Sequence, residues 1–389
     1  METGTAYLDE TELHEKASRA TGLDDFGDDE YLEGLRVLLD AYRTQAQLTE
    51  LGRAAARAQL VASLTSRLHS QESWKRNPDH RATTIKAPIF VVGLPRTGTT
   101  ALHRLLAQDP ANQGLDLWLA EYPQPRPPRH TWPEYAGYRR CQAAFDQTYG
   151  ARPELAGIHY MAAGEVDECW RLLRQSMTSV SFECLSYLPT FSAWLDTHDW
   201  TPAYQRYRDN LRLIGLNDPQ RRWVLKNPSH MFAPAALFAA FPDALVVQTH
   251  RHPREVVPSV CSLNSGFSQG WSEVFTGEVL GRAQLDMWAK GINRFMRERE
   301  RRDPQRFFDV DYSDFVRDPV DVVERMYRHF GLELSEQASR RMRDLHGQRA
   351  GGKGTPHRYT LDDFGLDGRE VDERFAEYTH TYNVTPGHA

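Results

Sequence analysis

The stretch APIFVVGLPRTGTTALHRLLAQDP, residues 87–110, reads as a buried strand, a glycine-containing turn and a helix. That layout makes an anion site, because the loop amides and the helix N-terminus aim their N–H groups at one point whatever the side chains are. The spacing Gly93-x-x-x-x-Gly98 followed by Thr99-Thr100 nearly matches the phosphate-loop pattern G-x-x-x-x-G-K-[ST]. The lysine that should follow the second glycine is Thr99, however, and the nearest positive charge, Arg96, lies inside the loop. Gly98 permits close backbone approach, and Thr99 and Thr100 add hydroxyl donors.

Working outward, three more segments read as buried strands beside IFVV (89–92): RWVLK (222–226), ALVVQT (244–249) and RFFDVDY (306–312). A turn and a helical pattern follow each, which predicts an α/β fold: a P-loop-like parallel sheet flanked by helices on both faces. Ligands of such sheets bind beyond the carboxyl ends of the strands. The residues there are Gly93 to Thr100, Lys226 to His230, His250 to Pro253, and Tyr312, and three of these four ends carry a positive charge.

Residues 1 to 80 predict a helical N-terminal extension without strands. Leu32, Leu35, Leu38 and Leu39, and then Leu60, Leu64 and Leu68, fall near helical spacing and suggest an antiparallel helical pair. The main domain is expected over residues 86–389. The proline cluster YPQPRPPRHTWPEY (122–135) predicts an irregular loop, since dense prolines withhold backbone donors.

A net charge of −6 argues against broad nucleic-acid binding, and no apolar run approaches the roughly 18 residues that span a bilayer. The opening METGTAYLDETELHEKA is acidic and polar, unlike a secretory signal. Cys141, Cys169, Cys184 and Cys261 are scattered without a C-x-x-C pair, which points to free thiols in a reducing cytoplasm. Nothing in the sequence speaks against a homo-oligomer.

A loop of this kind serving nucleotide triphosphates needs Mg²⁺, held by the loop Ser/Thr and by an Asp ending another strand. The strand ALVVQT ends in His-Arg-His instead, so the metal ligand is missing together with the lysine. An arginine-rich site expected to be metal-free suits a donor whose transferring group carries less charge than a phosphoryl group, such as a sulfuryl group on an adenosine phosphate. Arg96 can fork onto its oxygens as a lysine cannot.

These residues resemble a family. FVVGLPRTGTT is similar to the 5′-phosphosulfate loop of sulfotransferases that use 3′-phosphoadenosine 5′-phosphosulfate (PAPS), closest to the Pro-Arg-[Ser/Thr]-Gly-Thr-Thr form of tyrosylprotein and bacterial small-molecule sulfotransferases. In HRHPREVVPS, Arg251 and Ser259 have the spacing of that family's 3′-phosphate segment. DVDYSDF resembles the segment whose tyrosine, here Tyr312, lies near the adenine, and GKGTPHRYTLDDFGLD resembles a C-terminal loop closing on the nucleotide, reduced here to Lys353-Gly354. The resemblance covers roughly residues 86–384. It implies donor binding by Arg96, Thr97, Gly98, Thr99, Thr100, Arg251, Ser259, Tyr312, Lys353 and Gly354, and a catalytic lysine at Lys226. The implied reaction is in-line transfer from PAPS to the hydroxyl of a small-molecule or lipid-like acceptor. A P-loop ATP-dependent kinase and a non-catalytic nucleotide-binding protein are the alternatives.

Such transfer needs cations, for which Arg96 and Lys226 are the natural choice, and a base for the acceptor hydroxyl. His230 stands four residues after Lys226, where a short helix would return it to the same mouth, and an unperturbed pKa near 6.5 suits the task. Glu121 stands where enzymes with the Pro-Arg loop carry a glutamate base. Glu165, with Asp167 and Glu168 adjacent, is the third candidate. His250 and His252 orient the nucleotide or fill space. Among many aromatics, including Trp118, Trp132, Trp170, Trp200, Phe267 and Trp271, some are expected to line an apolar acceptor pocket and most to be core.

Overall fold

The computed structural model describes residues 8–151, 153, 161–350 and 359–386. Its centre is a five-stranded, all-parallel sheet of strands β1 (Ile89–Gly93), β2 (Asn112–Gln113), β3 (Arg222–Lys226), β4 (Leu245–His250) and β5 (Phe307–Asp311), in the order β2-β3-β1-β4-β5. The four long strands are those read from the sequence. β2 escaped that reading because two residues carry no periodicity. Register places Val91 opposite Lys226, Gly93 opposite Thr249 and His250 opposite Asp311, so the chemically active strand ends sit side by side.

Apolar side chains of successive strand residues point to opposite faces, and both faces are covered. Phe90 and Val92 join one buried cluster with Leu225, Val246 and Trp288. Ile89 and Val91 join another with Leu102, Val224, Val247 and Met326. At roughly 25 cal/mol per Å² of apolar area, such two-sided burial is the main force holding the sheet.

The N-terminal region forms three helices rather than a pair: α1 (Glu10–Thr21), α2 (Leu32–Thr44) and α3 (Glu50–Arg76). Asp9 and Thr49 cap the first and third by accepting from the backbone N–H of Glu12 and Gly52. Leu35, Leu38, Leu60, Leu64 and Leu68 are fully buried in the same cluster as Phe90 and Trp288. Arg67 ties this layer inward, pairing with Glu30 and Asp28 and donating to the carbonyl of Gln175. Within the proline cluster, Arg129–Glu134 winds into a short 3₁₀ helix instead of an irregular loop.

Candidate active site

The turn after β1 is held in a conformation that few sequences adopt. Gly93 has φ 131, and a Cβ there would lie 2.5 Å from the carbonyl of Thr249, so β1 and β4 approach closely only with glycine. Gly98 has φ 89 and caps helix α4 (Thr99–Leu106). Between them Arg96 also takes a left-handed backbone, φ 66, which costs a non-glycine residue about 1–3 kcal/mol unless its surroundings enforce it. They do: Arg251 donates to the Arg96 carbonyl at 3.1 Å, and Arg96 Nε donates to Ser259 Oγ at 3.2 Å. Thr97 is fully buried, its hydroxyl 2.6 Å from the Leu94 carbonyl and 2.5 Å from Thr249 Oγ1. Its side chain therefore anchors the loop, leaving only its backbone for a ligand.

Over this loop opens a cavity of about 440 Å³, lined by Arg96, Gly98, Thr99, Thr100, Arg251, Ser259, Tyr312 and Tyr359 among others. The guanidinium of Arg251 lies 4.3 Å over the ring of Tyr312, and its Nε meets Glu255 at 2.9 Å. The Tyr359 hydroxyl donates to Ser259 Oγ at 2.7 Å. The structure thus brings together, around one cavity, every residue expected to bind the donor except Thr97, which stands just beneath it, and Lys353 and Gly354, which lie outside the described residues. Tyr359 was not among the expected residues, although it falls inside the C-terminal block quoted for the resemblance.

A second cavity, about 280 Å³, adjoins the first and is walled mainly by apolar groups, among them Trp170, Leu185, Val260, Phe267 and Trp288. Trp170 and Phe267 thus meet the expectation of an aromatic pocket, while Trp118 and Trp200 are core. Pro95, Glu168, Pro228 and Leu263 line both cavities. Of these only Glu168 ionises. Its carboxylate forms a short ion pair with Lys226, whose Nζ also donates to Thr100 Oγ1 at 3.1 Å. Lys226, at the end of β3, is 1% exposed, so its charge is spent on this contact rather than on water.

The three expected bases lie elsewhere. Asn227 and Pro228 break the run after Lys226 and start a 3₁₀ turn, Pro228–Phe232, in which Asn227 accepts from the Ser229 N–H at 3.1 Å. Because this turn does not continue an α-helical spacing from Lys226, His230 is carried under the sheet instead of to the mouth. It is fully buried, packs edge-on against Phe90, and shares a 2.7 Å hydrogen bond between Nδ1 and the Tyr204 hydroxyl. Burial holds its pKa down to about 3. Glu121 is tied to Arg171, which also grips Asp167 at 2.6 Å, and its side chain lines neither cavity. The Glu165 side chain is 41% exposed, 3.7 Å from Arg104, and likewise lines neither.

Glu168 takes the junction because of a contact far apart in sequence. The Cys169 N–H donates to the Lys226 carbonyl at 3.1 Å, which fastens the acidic segment to the end of β3. The signal available beforehand was only that Glu168 belongs to the same acidic run as Glu165. His250 and His252 fill space: the first lies between Asp309 and Tyr378 with Tyr382 stacked on it, and the second accepts from the Arg254 N–H to cap the helix Pro253–Phe267.

Among the described residues no group of three or more His, Cys, Asp or Glu is placed to hold a metal, and no helix is long and apolar enough to cross a membrane. The four cysteines are unpaired.

Comparison with known proteins agrees with this geometry. A solved structure of the sulfotransferase STF1 from Mycobacterium tuberculosis H37Rv superposes with a TM-score of 0.89 at 51% identity, over 95% of this chain and 98% of that one. The sulfotransferase STF9 from Mycobacterium avium gives a TM-score of 0.87 at 26% identity, over 97% and 98%. The omega-hydroxy-beta-dihydromenaquinone-9 sulfotransferase Stf3 of Mycobacterium tuberculosis (strain CDC 1551 / Oshkosh) is 26% identical over 318 residues, 76% of this chain and 74% of its own length. Residues 88–336, which hold the loop, Lys226, Arg251, Ser259 and Tyr312, match the sulfotransferase family, so the chain belongs to that family and is a sulfotransferase rather than a kinase.

Proposed function

We propose that the sulfuryl donor is PAPS, bound in the cavity over the loop, and that the acceptor is a small, largely apolar or lipid-like alcohol bound in the adjoining one. The observation that carries this reading is Glu168, which lines both cavities while paired to Lys226. The residues fit such a donor. A Cβ at position 98 would stand 3.3 Å from the Phe315 ring and 3.4 Å from the Tyr312 ring, so glycine lets the loop pack close to the tyrosine that lines the donor cavity. Arg96 and Arg251 face the same space with planar guanidinium forks suited to phosphate and sulfate oxygens.

When bound, PAPS supplies an activated sulfuryl group with 3′-phosphoadenosine 5′-phosphate as leaving group. Glu168 takes the proton from the acceptor hydroxyl as that oxygen attacks. Lys226, in touch with both Glu168 and Thr100, sets its charge beside the transferring group, and Arg96 with the amides that follow it stabilises the equatorial oxygens. Arg251 and Ser259 hold the 3′-phosphate and Tyr312 the adenine, with Tyr359 fixing the Ser259 hydroxyl. On this reading the positive charge needed is supplied by Arg96 and Lys226, and no step is assigned to a metal.

Residues 86–389 form the donor-binding domain, and the extension over residues 1–80 contributes Gln59 to the wall of the acceptor cavity. The name of the Stf3 relative, which includes a hydroxylated menaquinone, supports a lipid-like acceptor. The free thiols support a reducing cytoplasm.

Thermal shift tests the donor assignment: 3′-phosphoadenosine 5′-phosphate raises the melting temperature and ATP with Mg²⁺ does not. Stabilisation by ATP with Mg²⁺ alone would overturn it.

A further inference from the structure

The acceptor cavity contains one cation that lacks a carboxylate. The two acids that line this cavity already have basic partners: Asp167 shares Arg171 with Glu121, and Glu168 holds Lys226. Arg174 also lines this cavity and is 9% exposed, yet no carboxylate lies within ion-pair distance of it among the described residues. Its Nε donates to Ser181 Oγ at 2.8 Å and its Nη2 to the Ser181 carbonyl at 3.3 Å, which leaves Nη1 without a partner among those residues.

Its orientation is supported from two sides. The guanidinium lies 4.1 Å over the Trp170 ring and 4.9 Å over that of Phe182, contacts that favour its present position. Burial, and then the charge of Arg171, lower its pKa to about 10, so the group remains charged at neutral pH. Among neighbouring charges the repulsion from Arg171 acts on it most strongly, and the pull of Glu121 is weaker. A buried cation costs several kcal/mol unless a counter-charge answers it, and among the described residues Arg174 has hydrogen bonds to Ser181 and ring contacts but no carboxylate in ion-pair contact.

Resting on the donor and acceptor assignment above, we propose that the acceptor carries a carboxylate in addition to its hydroxyl, and that Arg174 is the specificity-determining residue that recognises it. A carboxylate suits the site better than a phosphate monoester. It is planar and carries a single charge to match the Arg174 guanidinium, whereas a second negative charge would meet repulsion from Asp167 and Glu168, which line the same cavity. The hydroxyl end would meet Glu168 and the anionic end Arg174, with the apolar body of the molecule against Trp170, Leu185 and Phe267.

The test uses the full chain saturated with 3′-phosphoadenosine 5′-phosphate, whose own titration reports separately on the donor site. Into this complex a panel of alkanoates and arylalkanoates is titrated, each beside its methyl ester, with tryptophan fluorescence as readout. Hydroxylated members are also assayed for turnover with PAPS. At least one carboxylate is expected to bind about ten- to a hundredfold more tightly than its ester, the worth of a charged hydrogen-bonded contact. Arg174→Gln should erase that preference while leaving the bisphosphate titration unchanged, and Arg174→Lys should restore part of it. Equal binding of acid and ester, or no binding of any carboxylate, with normal bisphosphate binding would overturn the proposal alone. The same holds if Arg174→Gln weakens acid and ester alike. Failure of the bisphosphate to bind the unmodified protein would instead strike the donor assignment.

Discussion

The polar groups of the donor cavity come largely from strand ends and the loops that follow them. Arg96, Thr99 and Thr100 follow β1, Arg251 follows β4, and Tyr312 follows β5. The acceptor cavity is made from almost the opposite material. Trp170, Arg171, Arg174 and Ser181 belong to a run of short helices and turns, Gln59 comes from α3, Phe267 ends one long helix, and Trp288 lies within the helix Gly277–Arg299. A parallel sheet fixes its strand ends through a ladder of backbone hydrogen bonds, so the chemistry placed there is set by topology. A wall built of irregular segments can change shape without disturbing that ladder. On the proposed assignment, the half that would handle the donor is therefore set by the sheet, and the half that would choose the acceptor is not.

The contrast can be broken hardest at the junction. Glu168→Gln should lower kcat by about 10²–10⁴, as expected for loss of a general base, with bisphosphate binding retained. If turnover survives, the base lies elsewhere. Lys226→Met should cost about 10²–10³ in kcat, the range for one lost charge-stabilising donor, together with some stability because Glu168 is left unpaired. Arg251→Ala sharpens the donor side. Affinity for nucleotides bearing a 3′-phosphate should fall about ten- to a hundredfold, and affinity for adenosine 5′-phosphosulfate should change little. Equal loss for both would contradict the assignment.

His230→Gln provides the internal control. Turnover per folded molecule should stay within a few-fold of the parent, which separates this buried histidine from Glu168. Its signature is expected in stability. With a folded pKa near 3 and an unfolded value near 6.5, His230 is neutral in both states at neutral pH. As pH falls below 6.5 the unfolded chain binds the proton first, so stability is lost progressively toward pH 3. The variant should show a shallower fall of Tm with acidification. The smallest effect is Tyr359→Phe: losing one neutral hydrogen bond to Ser259, worth about 0.5–1.5 kcal/mol, should raise the KM for the donor several-fold without altering kcat.

These outcomes also mark what could be read from the sequence. β1, β3, β4 and β5 announced themselves as apolar runs followed by turns, and the rule that ligands sit beyond strand ends then gathered Arg96, Thr100, Lys226, Arg251 and Tyr312 into one place. Glu168 resisted because its position depends on the Cys169–Lys226 backbone contact, between residues 57 apart in the chain, which no local pattern encodes. His230 misled for the converse reason. Its distance from Lys226 was read as helical, whereas Asn227 and Pro228 reset the backbone and sent the imidazole beneath the sheet. Arg174 gave no signal at all, since an arginine becomes informative only when its partners, or their absence, are known.

The left-handed backbone of Arg96 sets up a trade-off at a single position. Glycine would occupy that conformation without strain, so a selection for heat resistance alone would be drawn toward Arg96→Gly. The same change removes the guanidinium from the loop and its bond to Ser259. Directed evolution for stability should therefore screen for turnover at every round, because at this residue the more relaxed polypeptide is the less capable enzyme.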